Sequence, residues 1–348
     1  MKNLSINKEF YGELLPYIED DNVTDINYSA GKLWLNDLKK GRYLADDVTL
    51  SDVFLNTFAM RIANLNNVNF NKNDYLLEAE TDELRITIIH EDVTNTGRSV
   101  SIRKTPAVRR ITKEKIMEDQ YCDEMLDAFM AAAVRAKCNI IIAGLPGAGK
   151  TEFLKYLTGY IPPNERAITI EDNLEIRYHQ INPDKDCVEL KVDGDFTYPK
   201  AIKCSLRNLA EWIILSESRS VEVKYLLEAM STGASALTTI HTDDVCKIPD
   251  RIENMLPERN ENARNDVFSF LDIGVHILSF IENGSINRKI NQVCVFDRRD
   301  DQNAIHLIYD KGKFVTYDLP ENLLMKFEQK KVVNPLESAT KVEVKKVG

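Results

Sequence analysis

Asn139-Ile140-Ile141-Ile142-Ala143-Gly144-Leu145-Pro146-Gly147-Ala148-Gly149-Lys150-Thr151 is the stretch from which the rest of the chain is read. Residues 144 to 151 have the Gly-x-x-x-x-Gly-Lys-Thr spacing of a phosphate-binding loop. Asn139 to Ala143 predicts a short buried strand, and Thr151-Glu152-Phe153-Leu154-Lys155-Tyr156-Leu157 predicts the opening of a helix. A phosphate loop needs that context. Its glycines let successive backbone N–H groups converge on phosphate oxygens, and the helix adds the positive end of its dipole. The expected binding set is Gly144, Pro146, Gly147, Ala148, Gly149, Lys150, Thr151 and Glu152. Lys150 is expected to reach the β- and γ-phosphates of ATP, and the Thr151 hydroxyl to ligate Mg2+. The competing reading, a glycine-rich turn with a surface lysine, accounts for neither the strand nor the helix.

At 348 residues the chain has room for two domains with proper cores, and its 43% hydrophobic and 29% charged side chains are ordinary for a globular protein. The net charge of −10, from 45 basic and 55 acidic side chains, argues against direct nucleic-acid binding as its main business. The cysteines at 122, 138, 187, 204, 246 and 294 form no C-x-x-C pair and have no histidine at zinc spacing, so free thiols in a reducing cytosol are expected. Met1-Lys2-Asn3-Leu4-Ser5 lacks an apolar signal core, and no window approaches the roughly 20 apolar residues that cross a bilayer. Membrane association is therefore expected to be peripheral, through partners.

Before the loop, residues 10 to 20 predict a short amphipathic helix and Thr24 to Leu44 a hairpin turning at Ser29-Ala30-Gly31. Leu50, Val53, Phe54, Phe58, Ile62 and Leu65 mark one face of a helix, and Tyr75–Ala79, Leu84–His90 and Arg98–Lys104 read as strands. That mixture predicts a small α+β domain over residues 1–104, with a linker over 105–115. From Lys115 one helix is expected to carry Met117, Tyr121, Met125, Phe129 and Val134 inward. After the loop, strands at Ala167–Ile170, Trp212–Leu215, Leu237–His241 and Asp272–Phe280 alternate with helical stretches such as Val221–Met230, which predicts an α/β domain with a mostly parallel sheet. Residues 290–348 add strand-like runs at Gln292–Phe296 and Ala304–Tyr309 and a basic tail.

Carboxylates at the carboxyl ends of parallel strands point into the crevice where such sheets bind ligands. Glu217 stands one small residue beyond Trp212–Leu215, where it would face magnesium, and Glu171 and Asp172 end the strand Ile168-Thr169-Ile170. Each is equally readable as a solvated strand-end acid. His241, after Thr238-Thr239-Ile240, is a candidate γ-phosphate sensor, although a lone strand histidine is more often structural.

Taken in order, these segments resemble the boxes of the ATPases that drive type II secretion, type IV pili and conjugative type IV secretion. The Walker A loop is Gly144 to Thr151, the aspartate box Ile168 to Ile176, the Walker B region Leu206 to Arg219, and the histidine box Thr232-Gly233 through His241. Leu84-Arg85-Ile86-Thr87 and Val100-Ser101-Ile102-Arg103-Lys104 look like that family's two arginine-bearing strands, so the resemblance runs from about residue 12 to about residue 300. It implies a RecA-like P-loop domain over residues 116–348, with a carboxy-terminal extension. It further implies that Glu171 polarises the attacking water, that Glu217 holds Mg2+ through water, and that His241 meets the γ-phosphate side. Arg85 and Arg103 would supply cations from the amino-terminal domain. The implied protein is a cytoplasmic ring, hexameric in the family, that hydrolyses ATP and docks on inner-membrane secretion or pilus platform proteins.

The chain departs from the family pattern in places. Ala210-Glu211 stands where Pro-Asp is usual, Ser216 where a glycine is common, Ala234 near a lost histidine, and Glu152 where a second threonine is frequent. Hydrolysis is expected to survive, because Lys150, Thr151, Glu171 and Glu217 are all present. Two rivals stand beside this reading: another P-loop enzyme such as a kinase or AAA+ remodeller, and a nucleotide-gated scaffold that binds without turnover.

Overall fold

The computed structural model describes residues 3–4, 8–256 and 261–338. The basic tail read from the sequence lies beyond residue 338, outside them. Two compact units are present: the chain up to Ala107 together with Ile281–Asn287, and Val108–Phe280 together with the chain from Arg288 onward. Residues 281–287, read from sequence with the second domain, group with the first unit. The Ile286 N–H donates to the Lys39 carbonyl at 2.7 Å.

In the first unit, strands β1 (Asn3–Leu4), β2 (Val23–Ser29), β3 (Lys32–Asp37), β4 (Gly41–Ala45), β5 (Leu76–Thr81), β6 (Leu84–Ile89) and β7 (Ser99–Lys104) form a sheet of order β1-β5-β6-β7-β2-β3-β4. Ala30 (φ 51°) and Gly31 (φ 73°) are both left-handed, which gives the two-residue turn whose twist suits a β2–β3 hairpin. The helix Asp52–Asn66 starts where Ser51 Oγ accepts from the Phe54 N–H at 3.1 Å and ends at left-handed Asn67. It buries Leu55, Phe58, Ala59, Ile62 and Ala63. The expected face is thus rotated, with Val53 left 77% and Leu65 46% exposed. The i, i+3, i+4 stripe runs through two alanines, which a search for large apolar side chains passes over. Phe58 centres an aromatic cluster with Phe10, Tyr11 and Phe54. Phe58→Ala is expected to lower this unit's stability by about 3–5 kcal/mol, seen as a drop in urea midpoint.

The other sheet holds β8 (Ile140–Ala143), β9 (Ala167–Glu171), β10 (Cys187–Lys191), β11 (Trp212–Leu215), β12 (Ser235–Ile240), β13 (Ile273–Glu282), β14 (Ser285–Arg299), β15 (Gln302–Asp310) and β16 (Lys313–Phe314), all in the second unit but for the last two residues of β13 and the first three of β14. Their order is β10-β9-β11-β12-β8-β13-β14-β15-β16, parallel from β10 through β13 and antiparallel from β14 to β16. The central strands are buried on both faces, as parallel strands under two helix layers must be. Period-two alternation sends Ile140, Ile142, Trp212 and Ile214 into one core and Ile141, Ala143, Ile213 and Leu215 into the other. The first core packs the helices Glu124–Arg135, Lys150–Thr158 and Glu321–Gln329, and the second packs Tyr198–Arg207, Glu222–Ser231, Ile248–Glu253 and Glu261–Phe270.

The single helix expected from Lys115 is two, Lys113–Glu118 and Glu124–Arg135. Gln120 turns left-handed between them, and the Asp123 carboxylate restarts the helix by accepting from the Leu126 N–H at 2.8 Å.

Candidate functional site

Register brings the strand ends together. Leu215 pairs with Ile170 on one side and Thr238 on the other, while Ile240 pairs with Ala143. Gly144, Glu171, Glu217 and His241 therefore leave the sheet at one edge, the edge at which parallel sheets bind ligands. The segment carrying Glu217 is tied to β12. The Thr239 hydroxyl donates to the Ser216 carbonyl at 2.7 Å, and the Ser218 N–H donates to the Thr239 carbonyl at 2.8 Å.

The loop has the backbone its glycines predict. Gly149 sits at φ 90° as the residue before the helix Lys150–Thr158, and a Cβ at Gly144 would lie 2.9 Å from the Ile277 carbonyl oxygen. Leu145, Pro146 and Gly147 form an exposed lip, whereas Gly144 and Ala148 are buried. Thr151 and Glu152 are half-buried on the helix's first turn, where N–H groups lack intrahelical acceptors.

Lys150 is buried, and burial lowers its pKa to about 8. Its ammonium donates to the carbonyls of Gly144 (3.0 Å) and Leu145 (3.4 Å) and lies 3.1 Å from His241 Nδ1. An ammonium has no lone pair, so Nδ1 must accept and the ring proton must sit on Nε2. Nε2 is 2.7 Å from a Glu217 oxygen, which completes a chain of Lys150 ammonium, neutral imidazole and carboxylate. Burial and the Lys150 charge both lower the His241 pKa, which keeps the ring neutral.

The other Glu217 oxygen meets Arg219 Nη2 at 2.8 Å, and Arg219 Nη1 reaches Asp172 at 3.1 Å. The hydrogen bond to Glu217 raises the Arg219 pKa. Arg219 thereby joins the two strand-end acids into one network. Its side chain is 58% exposed, so Arg219→Ala is expected to cost under about 1 kcal/mol of stability, a melting shift of at most a few degrees.

Glu171 stands apart from that network. It is fully buried, and its Oε2 accepts the N–H groups of Glu175 (2.9 Å) and Ile176 (3.0 Å), while Oε1 is buried with no hydrogen-bond partner. Burial raises its pKa to about 8, against the pull of those two donors. At neutral pH the carboxyl is mostly protonated, with its proton on Oε1.

Arg85 and Arg103 lie in the first unit, directly opposite one another on β6 and β7. Like charges so placed repel, and each is relieved by an acid: Arg85 by Glu78 at 3.5 Å, Arg103 by Asp25 at 2.9 Å. The site residues that sequence reading missed are Arg219 and Arg288. Arg219 had a signal, a cation two residues beyond a strand-end acid. Arg288 had none. It comes from β14 and donates from Nε to the Gly147 carbonyl at 3.1 Å, a contact set by sheet order alone.

The family described as "Type II/IV secretion system protein" matches residues 54–294. An uncharacterized protein of Bacillus anthracis is 25% identical over 261 residues, which cover 74% of this chain and 59% of that protein. The protein VirB11 of Agrobacterium fabrum is 35% identical over 123 residues, 33% of this chain and 35% of its own. The chain thus spans about three fifths of the first relative and about a third of the second. Among solved structures, the Legionella pneumophila ATPase DotB aligns with a TM-score of 0.60 and 17% identity, covering 85% of this chain and 83% of that one. The pilus retraction motor PilT with bound ADP aligns with a TM-score of 0.59 and 16% identity, covering 95% and 88%. At these identities the structural likeness shows the fold alone. No helix among the described residues is long and apolar enough to cross a membrane.

Proposed function

The chain belongs to the type II/IV secretion system protein family, and we propose that it is a Mg2+-dependent ATPase that powers a secretion, pilus-assembly or conjugative-transfer machine. The observation that carries the reading is the chain of contacts from Lys150 through His241 to Glu217. An ammonium held on two loop carbonyls and one imidazole is ready to exchange them for phosphate oxygens. That exchange would report to the acid at the end of β11.

The loop's N–H groups and the first turn of its helix would hold the phosphates, with Lys150 neutralising them. The Thr151 hydroxyl and the Glu217 carboxylate are hard oxygen donors and fit Mg2+, which takes one or two protein ligands beside substrate phosphates. When bound, the ion would withdraw charge from the phosphates. Glu217 must then give up His241 or Arg219, which makes those residues the relay. Glu171 is assigned the water-polarising role. Arg85 and Arg103 are assigned phosphate neutralisation, supported by their adjacent, paired placement on one sheet. The working form is proposed as a homohexameric ring at the inner face of the membrane, attached through platform proteins.

Phosphate release from ATP by the full chain, with and without Mg2+, tests the proposal. Turnover that requires the ion is expected. Tight nucleotide binding with no turnover would replace the motor by a nucleotide-gated scaffold.

A further inference from the structure

Glu217 is held from two sides by unlike partners. His241 Nε2 meets its Oε1 at 2.7 Å, and Arg219 Nη2 meets its Oε2 at 2.8 Å. The imidazole is neutral and its other nitrogen accepts from the Lys150 ammonium, so letting it go breaks a chain that ends on the phosphate loop. The guanidinium is a full charge with a second acid in reach, Nη1 lying 3.1 Å from Asp172 Oδ2. That second acid is fixed in place. Asp172 Oδ1 accepts the Asn173 N–H at 2.9 Å, and the Tyr198 hydroxyl oxygen accepts the Asp172 N–H at 3.2 Å. Arg219 has a pinned root and a loose arm: the buried Glu222 accepts the N–H groups of Arg219 and of Ser220, the latter at 2.7 Å, while the Arg219 side chain is 58% exposed.

We propose that Arg219 is a positioning residue that gates Glu217: it holds Oε2 until a divalent cation competes for that carboxylate, then swings wholly onto Asp172, with His241 still on Oε1. The inference rests on the metal reading of Glu217 above and names which of its two partners yields. A guanidinium and a divalent cation repel one another on one carboxylate, whereas a neutral imidazole N–H does not oppose the ion. The guanidinium has only donors, so it cannot enter the ion's shell and has to leave. Asp172 keeps the released cation paired, which makes the exchange an easy one. Arg219 therefore sets how readily Glu217 is surrendered.

The test titrates Mn2+ into the full chain with ADP present and reads the free ion by electron paramagnetic resonance. Arg219→Gln is expected to tighten Mn2+ binding about fivefold, the scale of one half-exposed ion pair no longer opposing it. In a Glu217→Gln background the same substitution should change the affinity by less than about twofold, because no carboxylate remains to be contested. Equal gains in both backgrounds would mean that Arg219 only repels the ion through space, and the gate is overturned. A crystal of the native chain with Mg2+ and a non-hydrolysable ATP analogue reads the same point directly. Arg219 should be found on Asp172 and off Glu217, with His241 still bonded to Glu217. A guanidinium still on Glu217, or an imidazole released in its place, sinks the proposal. A native chain that holds neither ADP nor Mn2+ overturns the underlying reading instead.

Discussion

Lys150→Ala is expected to lower Mg2+-dependent phosphate release by about 10²–10³-fold, the cost of removing one preorganised donor from a site where charge develops. The structure explains why no neighbour should substitute. The Lys150 ammonium fills three acceptors at once, two of them loop carbonyls that can only accept, and the third is His241 Nδ1. Arg219 is committed to Glu217 and Asp172. Removing Lys150 also frees His241 from a charge that disfavours its protonation, so the imidazole pKa should rise toward its ordinary value. An imidazolium beside Glu217 would then hold that carboxylate more tightly, the opposite of what metal binding needs.

Loss of activity in this variant cannot be ascribed to unfolding if the pH dependence of stability is followed. Lys150 titrates near 8 when folded and near 10.5 when unfolded, so its burial costs stability below pH 8 and the cost disappears as pH rises toward 10.5. Alanine removes that dependence, so the variant should match or exceed native stability at pH 7 and lack the native gain between 8 and 10.5. Full turnover by Lys150→Ala would remove the phosphate loop from the reaction.

The phosphate loop, the alternating strands and their buried character were legible because each is local: a fixed spacing, an apolar run, a glycine where φ must be positive. The strand-end acids were legible for the same reason, since a strand's last residues are found by reading along it. What escaped depends on sheet order. Arg288 meets Gly147 only because β13 lies between β8 and β14 in the sheet, and nothing near residue 288 announces a phosphate loop. The half-buried edge strand Cys187–Lys191 and the helix Glu321–Gln329 were missed as well, the strand being only five residues long and the helix only nine. The break in the helix after Lys115 was readable in principle, since Asp123 followed by an apolar period is a capping signal. Glu171 shows the same limit chemically. Its position at a strand end was plain, but its burial and its two backbone donors follow from the turn after β9, which the sequence does not spell out.

Glu171→Gln is expected to move activity and stability in opposite directions. Glutamine is nearly isosteric, its carbonyl oxygen can keep the two N–H bonds from Glu175 and Ile176, and its amide takes the place of the protonated Oε1. The carboxyl has a folded pKa of about 8 against an ordinary 4.5, so the folded state holds the proton more tightly. Native stability should therefore fall as pH rises from about 4.5 to 8, by on the order of 5 kcal/mol in full. The glutamine variant cannot ionise and should show no such fall. At pH 9 it should melt about 5–10 °C above the native protein, while the two should converge near pH 5. Turnover should go the other way, down about 10²–10⁴-fold, if the carboxylate polarises water. Because that role needs the ionised form, native turnover should climb about tenfold per pH unit as pH rises toward 8, and fall again above it, where the Lys150 ammonium loses its proton. A variant that gains the stability and keeps the turnover would leave Glu171 a buried cap of the turn after β9 and pass the water-polarising role to another acid, with Asp172, already joined to Glu217 through Arg219, the first to test.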